Sequence, residues 1–120
     1  MSMQKKFKRS GSYYVYIAEC GDGTYYTGYT NGLQGRLERH NKGLASKYTR
    51  VRLPVKFVWT KEYRQFQPAF KAEMAIKQLT RLQKESLVKG KRLDKVLAES
   101  RRWIRIIKKE VSGPAAKRVG

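Results

Sequence analysis

The 120-residue chain has little of what proteins use to bind metals or to leave the cell: one cysteine, one histidine, three prolines and nine acidic residues. A single cysteine, Cys20, cannot close an internal disulfide, which excludes a disulfide-stapled secreted scaffold and makes a reducing compartment, the cytoplasm, the expected location. There is no Cys-x-x-Cys, no His-Glu-x-x-His and no Gly-x-x-x-x-Gly-Lys, so zinc-cluster, zinc-peptidase and P-loop chemistry are excluded. No apolar run approaches the ~18 residues of a membrane span. The basic start, Met1 to Arg9, is not followed by the ~7–15 apolar residues of a signal peptide, because Tyr13–Ala18 leads straight into Glu19. Neither export nor a membrane partner is expected.

Positive charge is what the chain has in excess. Twenty-eight Lys and Arg set against nine Asp and Glu give +19, where solubility alone asks a small domain for a net charge of about 2–8. Residues 1–60 hold 11 bases and 3 acids and residues 61–120 hold 17 and 6, so the charge is spread through the folded region. Such a field draws in polyanions, which ranks nucleic acid ahead of acidic membrane and acidic protein as partner. A hydrophobic fraction of 40% with 8 Tyr, 4 Phe and 2 Trp suffices for one small core. One domain is expected, with a monomer the favoured state.

Patterning orders the elements. Residues 1–12 are basic and read as a flexible N-terminus. Tyr13–Cys20 and Thr24–Thr30 are aromatic and β-branched and flank Gly21-Asp22-Gly23, the pattern of a β-hairpin. Asn31 is the expected N-cap of a helix to about Asn41, with Leu33 and Leu37 on one stripe and Gly43 just past its end. Residues 42–54 read as a basic loop, and Val55 to Thr60 alternates as a third strand running on toward Tyr63. Pro68 suits the first turn of a second helix with Ala72, Ala75, Ile76 and Leu79 as its stripe. Thr80-Arg-Leu-Gln83 has the form of a capping box, predicting a break and a new helix to about Lys89, stopped by Gly90. Leu93, Val96, Leu97, Ile104 and Ile107, with Trp103 alongside, predict a basic amphipathic helix over 91–111, packed on the domain of residues 13–90. Ser112-Gly113-Pro114 ends it, and 112–120 reads as a disordered tail.

The uncommon polar residues fall on elements that can converge: Tyr16 and Tyr26 on the hairpin, Arg36 and His40 one helical turn apart, and Glu73 on the second helix. With these in view, the sequence resembles the GIY-YIG endonuclease superfamily, in particular its small stand-alone bacterial members. Tyr14-Val15-Tyr16 stands in the place of Gly-Ile-Tyr, and Tyr26-Thr27-Gly28 in the place of Tyr-Ile-Gly, ten residues on. Leu33-x-x-Arg36-Leu-x-x-His40-Asn41 is similar to the family's first-helix motif, and Glu73 lies in a segment similar to the helix bearing its metal-binding glutamate. Lys47-Tyr48-Thr49-Arg50, followed by Leu53-Pro54-Val55, matches the loop of the small members. The chain departs from the pattern at Tyr14-Val15, which replaces Gly-Ile, and at Tyr29, where relatives often place Lys or Arg.

The resemblance implies an α/β fold, a three-stranded antiparallel sheet flanked by helices, here with an added basic C-terminal helix. It also implies a metal-dependent endonuclease acting on nucleic acid, DNA being the expected substrate. Hydrolysis of a phosphodiester needs an activated water, neutralised phosphoryl oxygens and help for the departing 3′ oxygen. One glutamate with several waters suits Mg²⁺ or Mn²⁺, which makes Glu73 the implied ligand. Arg36 offers a planar fork of donors to the phosphate. A tyrosine with a pKa near 10 is a poor base, so Tyr16 needs a cationic neighbourhood or a proton acceptor, a part His40 can fill; the resemblance implies Tyr16 as general base and Tyr26 as the phosphate- or water-orienting hydroxyl, an order the residues alone leave open. Lys47, Tyr48, Arg50 and Arg81 are expected on backbone phosphates. The alternatives are a non-catalytic nucleic-acid-binding module on the same scaffold, a basic adaptor for an acidic protein, and, for Glu73, a plain ion pair with Lys77.

The hairpin leaves a choice of register. A two-residue Asp22-Gly23 turn would put Tyr16 and Tyr26 on opposite faces of the sheet; a three-residue Gly21-Asp22-Gly23 connection, with Gly23 left-handed, would put them on one. A joint role for both hydroxyls predicts the three-residue connection.

Overall fold

The computed structural model of the chain describes residues 12–101. In order, these form β1 (Tyr13–Glu19), β2 (Tyr25–Thr30), α1 (Leu33–Asn41), α2 (Lys47–Arg50), β3 (Lys56–Tyr63), α3 (Phe66–Lys77) and α4 (Arg81–Val88). A last helix, α5, begins at residue 93 and reaches residue 101. The three strands pair antiparallel in the order β2-β1-β3, so the fold is the expected three-stranded sheet with flanking helices. The N-terminal residues 1–11, the expected helical positions Trp103, Ile104 and Ile107, and the tail 112–120 lie outside the described residues.

The hairpin takes the three-residue connection. Gly23 N–H donates to Cys20 O at 2.9 Å and Cys20 N–H to Thr24 O at 2.8 Å, and Gly23 adopts φ 85°, a region that favours glycine. Asp22 closes the loop by accepting from the Thr24 N–H at 3.1 Å and the Thr24 hydroxyl at 2.7 Å. Ala18 therefore faces Tyr26 and Tyr16 faces Gly28. Since side chains alternate along a strand, Tyr16 and Tyr26 lie on one face.

Alternation along β1 also divides the interior. Val15 and Ile17 point toward α3, where Ala69, Ala72 and Ile76 meet them, and Leu79, Leu87 of α4 and Val96 of α5 complete this larger core. Tyr16, Ala18 and Cys20 point the other way, to Val55, with Leu33 and Leu37 of α1 packed against them. Helix boundaries follow local chemistry. Thr80 makes both halves of its capping box with Gln83, separating α3 from α4 as expected.

Three expectations shift. The N-cap of α1 is Gly32, not Asn31, because the Thr30 hydroxyl accepts from the Gly32 N–H at 3.1 Å and turns the chain one residue later. The expected loop 42–54 contains α2, whose N-cap Ser46 accepts from the Thr49 N–H. The third strand starts at Lys56 and runs to Tyr63, with a bulge opposite Ile17/Ala18.

Candidate active site

Tyr16 stands at the centre of β1 and is 2% exposed. Its hydroxyl lies 2.8 Å from His40 Nε2, His40 Nδ1 lies 2.9 Å from Thr49 Oγ1, and Thr49 Oγ1 lies 2.8 Å from Ser46 Oγ. His40 and Thr49 are as deeply buried as Tyr16. Burial pushes the Tyr16 pKa above its ordinary value, with Tyr26 and Glu73 adding to this and Arg36 opposing it. Burial lowers the His40 pKa below its ordinary value, and the nearby Arg36 charge lowers it further. Both groups are thus neutral near pH 7.

The direction of the first hydrogen bond follows from acidity. A phenol is the stronger acid and an imidazole the stronger base, so we assign Tyr16 O–H as donor to Nε2. The reverse would leave a buried phenol proton without an acceptor among the described residues. The imidazole proton then sits on Nδ1 and is donated to Thr49 Oγ1, whose own proton turns to Ser46 Oγ. A single row of protons runs from the sheet to the cap of α2.

Each member is held by its element. A Cβ at Gly28 would stand 2.5 Å from the Tyr16 hydroxyl, so only glycine opposite Tyr16 leaves that hydroxyl its place. Phe57 of β3 stacks on the Tyr16 ring, centroids 4.3 Å apart. His40 sits at the end of α1, and its neighbour Asn41 fixes that end to the start of β3: Asn41 Nδ2 donates to Val55 O at 2.9 Å, and the Val55 N–H donates to Asn41 Oδ1 at 2.7 Å. Tyr26 is half-buried, its ring centroid 5.5 Å from His40 and 6.5 Å from Tyr16. Tyr48 stacks over Tyr26 at 6.1 Å, and the Arg52 guanidinium covers Tyr48 at 3.8 Å.

Of the residues expected at the site, Tyr16, Tyr26, Arg36 and His40 are brought together, and the Glu73 charge reaches Tyr16. Glu73 is buried in α3 at 7% exposure, and its Oε2 lies 3.1 Å from Lys77 Nζ, so the expected alternative, an i,i+4 ion pair, is present. Lys47, Tyr48 and Arg50 are exposed on α2, next to the row through Thr49. Arg81 is not brought to the site. Its guanidinium donates to Gly23 O at 2.5 Å, covers the Tyr25 ring at 3.8 Å and pairs with Glu85 at 3.2 Å, clasping the hairpin to α4. Three partners within the protein explain why a basic residue reads as a phosphate contact in sequence and is a clasp in the fold.

Thr49 and Ser46 escaped the sequence reading as site residues. Their signal lay in Ser46-x-x-Thr49, a cap spacing inside a stretch read as loop. The donor set also bears on a metal. Among the described residues no group of three or more His, Cys, Asp or Glu converges, so there is no cage made wholly of protein. A lone buried carboxylate, Glu73, fits Mg²⁺, which takes one or two carboxylates and keeps most of its waters.

Comparison with known proteins adds to this geometry. Residues 12–86 match the model of the GIY-YIG catalytic domain. A UPF0213 protein of Streptococcus agalactiae is 47% identical over 76 residues, 63% of this chain and 86% of that protein. Another, from Halobacterium salinarum, is 49% identical over 75 residues, 62% of this chain and 97% of that protein. The solution NMR structure of a UPF0213 protein from Bacillus halodurans is 42% identical and covers 66% of this chain and 84% of its own, with a TM-score of 0.44. No helix among the described residues is long and apolar enough to cross a membrane.

Proposed function

The chain belongs to the GIY-YIG family, and from that membership we propose that it is a divalent-metal-dependent endonuclease that hydrolyses phosphodiester bonds in nucleic acid, DNA being the expected substrate. The observation that carries the reading is the buried hydrogen bond from Tyr16 to His40, backed by Thr49, beside Arg36 and within the field of Glu73.

With its pKa raised, Tyr16 does not work as a standing phenolate. It works as a relay: as the attacking water loses a proton to the Tyr16 oxygen, Tyr16 passes its own proton to His40 Nε2. The water oxygen forms the new bond to phosphorus while the bond to the 3′ oxygen breaks, and that oxygen takes a proton from solvent. The products carry a 5′-phosphate and a 3′-hydroxyl. The imidazolium that forms donates from Nδ1 to Thr49, so its charge arises already hydrogen-bonded. Arg36 holds the scissile phosphate by two parallel donors and opposes the charge that builds on its oxygens. Tyr26, beside the relay, orients the phosphate or the water. Glu73 would hold the divalent ion, which when bound would supply charge neutralisation at the phosphate. Lys47, Tyr48 and Arg50 line the approach and bind backbone phosphates without reading sequence.

The test is cleavage of labelled branched, flapped, single-stranded and duplex DNA and RNA with Mg²⁺, Mn²⁺ or EDTA. The reading expects cutting with the metals only, lost in Glu73→Gln while binding persists. Undiminished cutting by Glu73→Gln would remove Glu73 as ligand, and salt-sensitive binding without cutting under any condition would make the protein a binding module.

A further inference from the structure

The large apolar side chains left exposed include a set on the α3 face of the sheet. Tyr29 on β2 is 37% exposed, Phe66 39% and Phe70 40%, where a core position would be covered. Their rings are continuous: Tyr29 meets Phe66 edge-on with centroids 5.7 Å apart, and Phe66 stacks on Phe70 at 5.6 Å. Phe70 and Phe66 precede Glu73 by three and seven residues, so all three lie along one strip of α3. At 1.5 Å of rise per residue, the rings stand about 4.5 and 10.5 Å down the axis from Glu73. Tyr29 pairs with Val15 and so lies on the α3 face with Phe66 and Phe70, across the sheet from Tyr16. This is the position where the family pattern favours a cation and this chain has a ring.

Charge limits what can cover the strip. A second copy would bring another +19 surface against it, and α3 itself carries Lys71 and Lys77 beside the rings. Flat rings edged by cations, on the strip of α3 that carries Glu73, suit nucleobases, whose π faces stack on aromatic side chains whatever the sequence.

We propose that Tyr29, Phe66 and Phe70 form a stacking ledge for an unpaired nucleobase flanking the phosphate at Glu73; the placement of that phosphate rests on the nucleolytic reading. The ledge converts the departure at position 29 from a phosphate contact into a base contact. Binding gains strength from unpaired bases near the cut and remains indifferent to which bases they are.

The experiment measures fluorescence anisotropy without divalent ion, using labelled oligothymidylate and an abasic oligomer of the same length and charge. Wild type is expected to bind the thymidylate roughly 5- to 150-fold more tightly, the range of base stacking on aromatic side chains. Phe70→Ala should bring thymidylate affinity down toward the abasic level and leave abasic affinity unchanged, while Phe70→Tyr keeps the preference. Equal wild-type affinity for both oligomers overturns the ledge, as does an equal fold loss on both in Phe70→Ala. Sedimentation showing a dimer that Phe70→Ala dissolves would also overturn it, by assigning the strip to a second copy. Because no metal is present, the outcomes separate: a chain that prefers bases but never cuts sinks the nuclease alone, and one that cuts without preferring bases sinks the ledge alone.

Discussion

Toward α3, the sheet sets Val15 and Ile17 against Ala69, Ala72, Ile76, Leu79, Leu87 and Val96, a buried cluster made wholly of apolar side chains. Toward α1 and α2, the same strand sets Tyr16 against His40 and Thr49, and these buried polar side chains are joined in one row of hydrogen bonds. The first face gains about 1.5–3 kcal/mol for each large side chain fully buried and tolerates volume-conserving change. The second gains little net from each hydrogen bond but loses about 1–3 kcal/mol when one partner is left alone. One strand with period 2 therefore separates two jobs. Ile17 holds the fold together, and its neighbour Tyr16 is free to be chosen for chemistry.

If that division holds, the largest effect on rate comes from Tyr16→Phe. Removing the relay should lower cleavage by about 10²- to 10⁴-fold, while the melting temperature moves by a few degrees, as loss of about one hydrogen bond implies. Steady-state rates and a thermal melt on one preparation check both halves. Ile17→Ala should do the opposite, costing about 2–5 kcal/mol of stability and leaving the rate per folded molecule unchanged. A fall in that normalised rate would break the division.

Next comes Thr49→Val, which keeps the shape and strands His40 Nδ1. We expect a loss of about 1–3 kcal/mol in stability together with a lower rate, and recovery of both in Thr49→Ser. A variant that is less stable but undiminished in rate would make Thr49 a packing residue only.

The titrations sharpen the same contrast. His40 is held neutral, its pKa below the ordinary value near 6.5. Its contribution to stability is complete above about pH 6.5 and is lost as pH falls toward the depressed value, because the unfolded chain then binds the extra proton. The acid limb of the rate profile should accordingly lie below the usual histidine range and be altered in His40→Gln. Tyr16 has the reverse sign: its raised pKa lets the unfolded chain release a proton first, so stability falls as pH rises above about 10. Urea midpoints across pH, compared with Tyr16→Phe and His40→Gln, measure both.

The smallest effect belongs to Thr27, on the apolar face, whose buried Oγ1 has no hydrogen-bond partner among the described residues. Thr27→Val should stabilise the fold by about 1 kcal/mol and leave cleavage unchanged. A loss of activity there would show that the apolar face also serves the site.

Much of this was legible in the sequence because it is local. The Gly21-Asp22-Gly23 spacing, the Thr80-Gln83 capping box and the Ala72 and Ile76 positions of the α3 stripe depend on neighbours within a few residues, and each appears as expected. The convergence of Tyr16, Tyr26, Arg36 and His40 was legible through the family motif rather than through propensity. What remained hidden depends on contacts distant in the chain. Arg81 meets Gly23 across 58 residues, and no charge pattern distinguishes that clasp from a free cation. Thr49 finds His40 across nine residues, through a four-residue helix too short to show periodicity. Asn31 lost the cap of α1 to a turn set by the Thr30 hydroxyl, a competition between two adjacent side chains that composition does not decide.

The central claim is that the buried Tyr16–His40 pair moves the proton of the attacking water. It is tested most directly by end analysis of cleavage products from wild type and Tyr16→Phe, at matched folded concentration, with and without Mg²⁺. The account predicts fragments ending in 5′-phosphate and 3′-hydroxyl from wild type with Mg²⁺, and a yield from Tyr16→Phe lower by two orders of magnitude or more at the same folded concentration, following the ~10²–10⁴-fold worth of a positioned acid or base. Equal yields from the two proteins would contradict it.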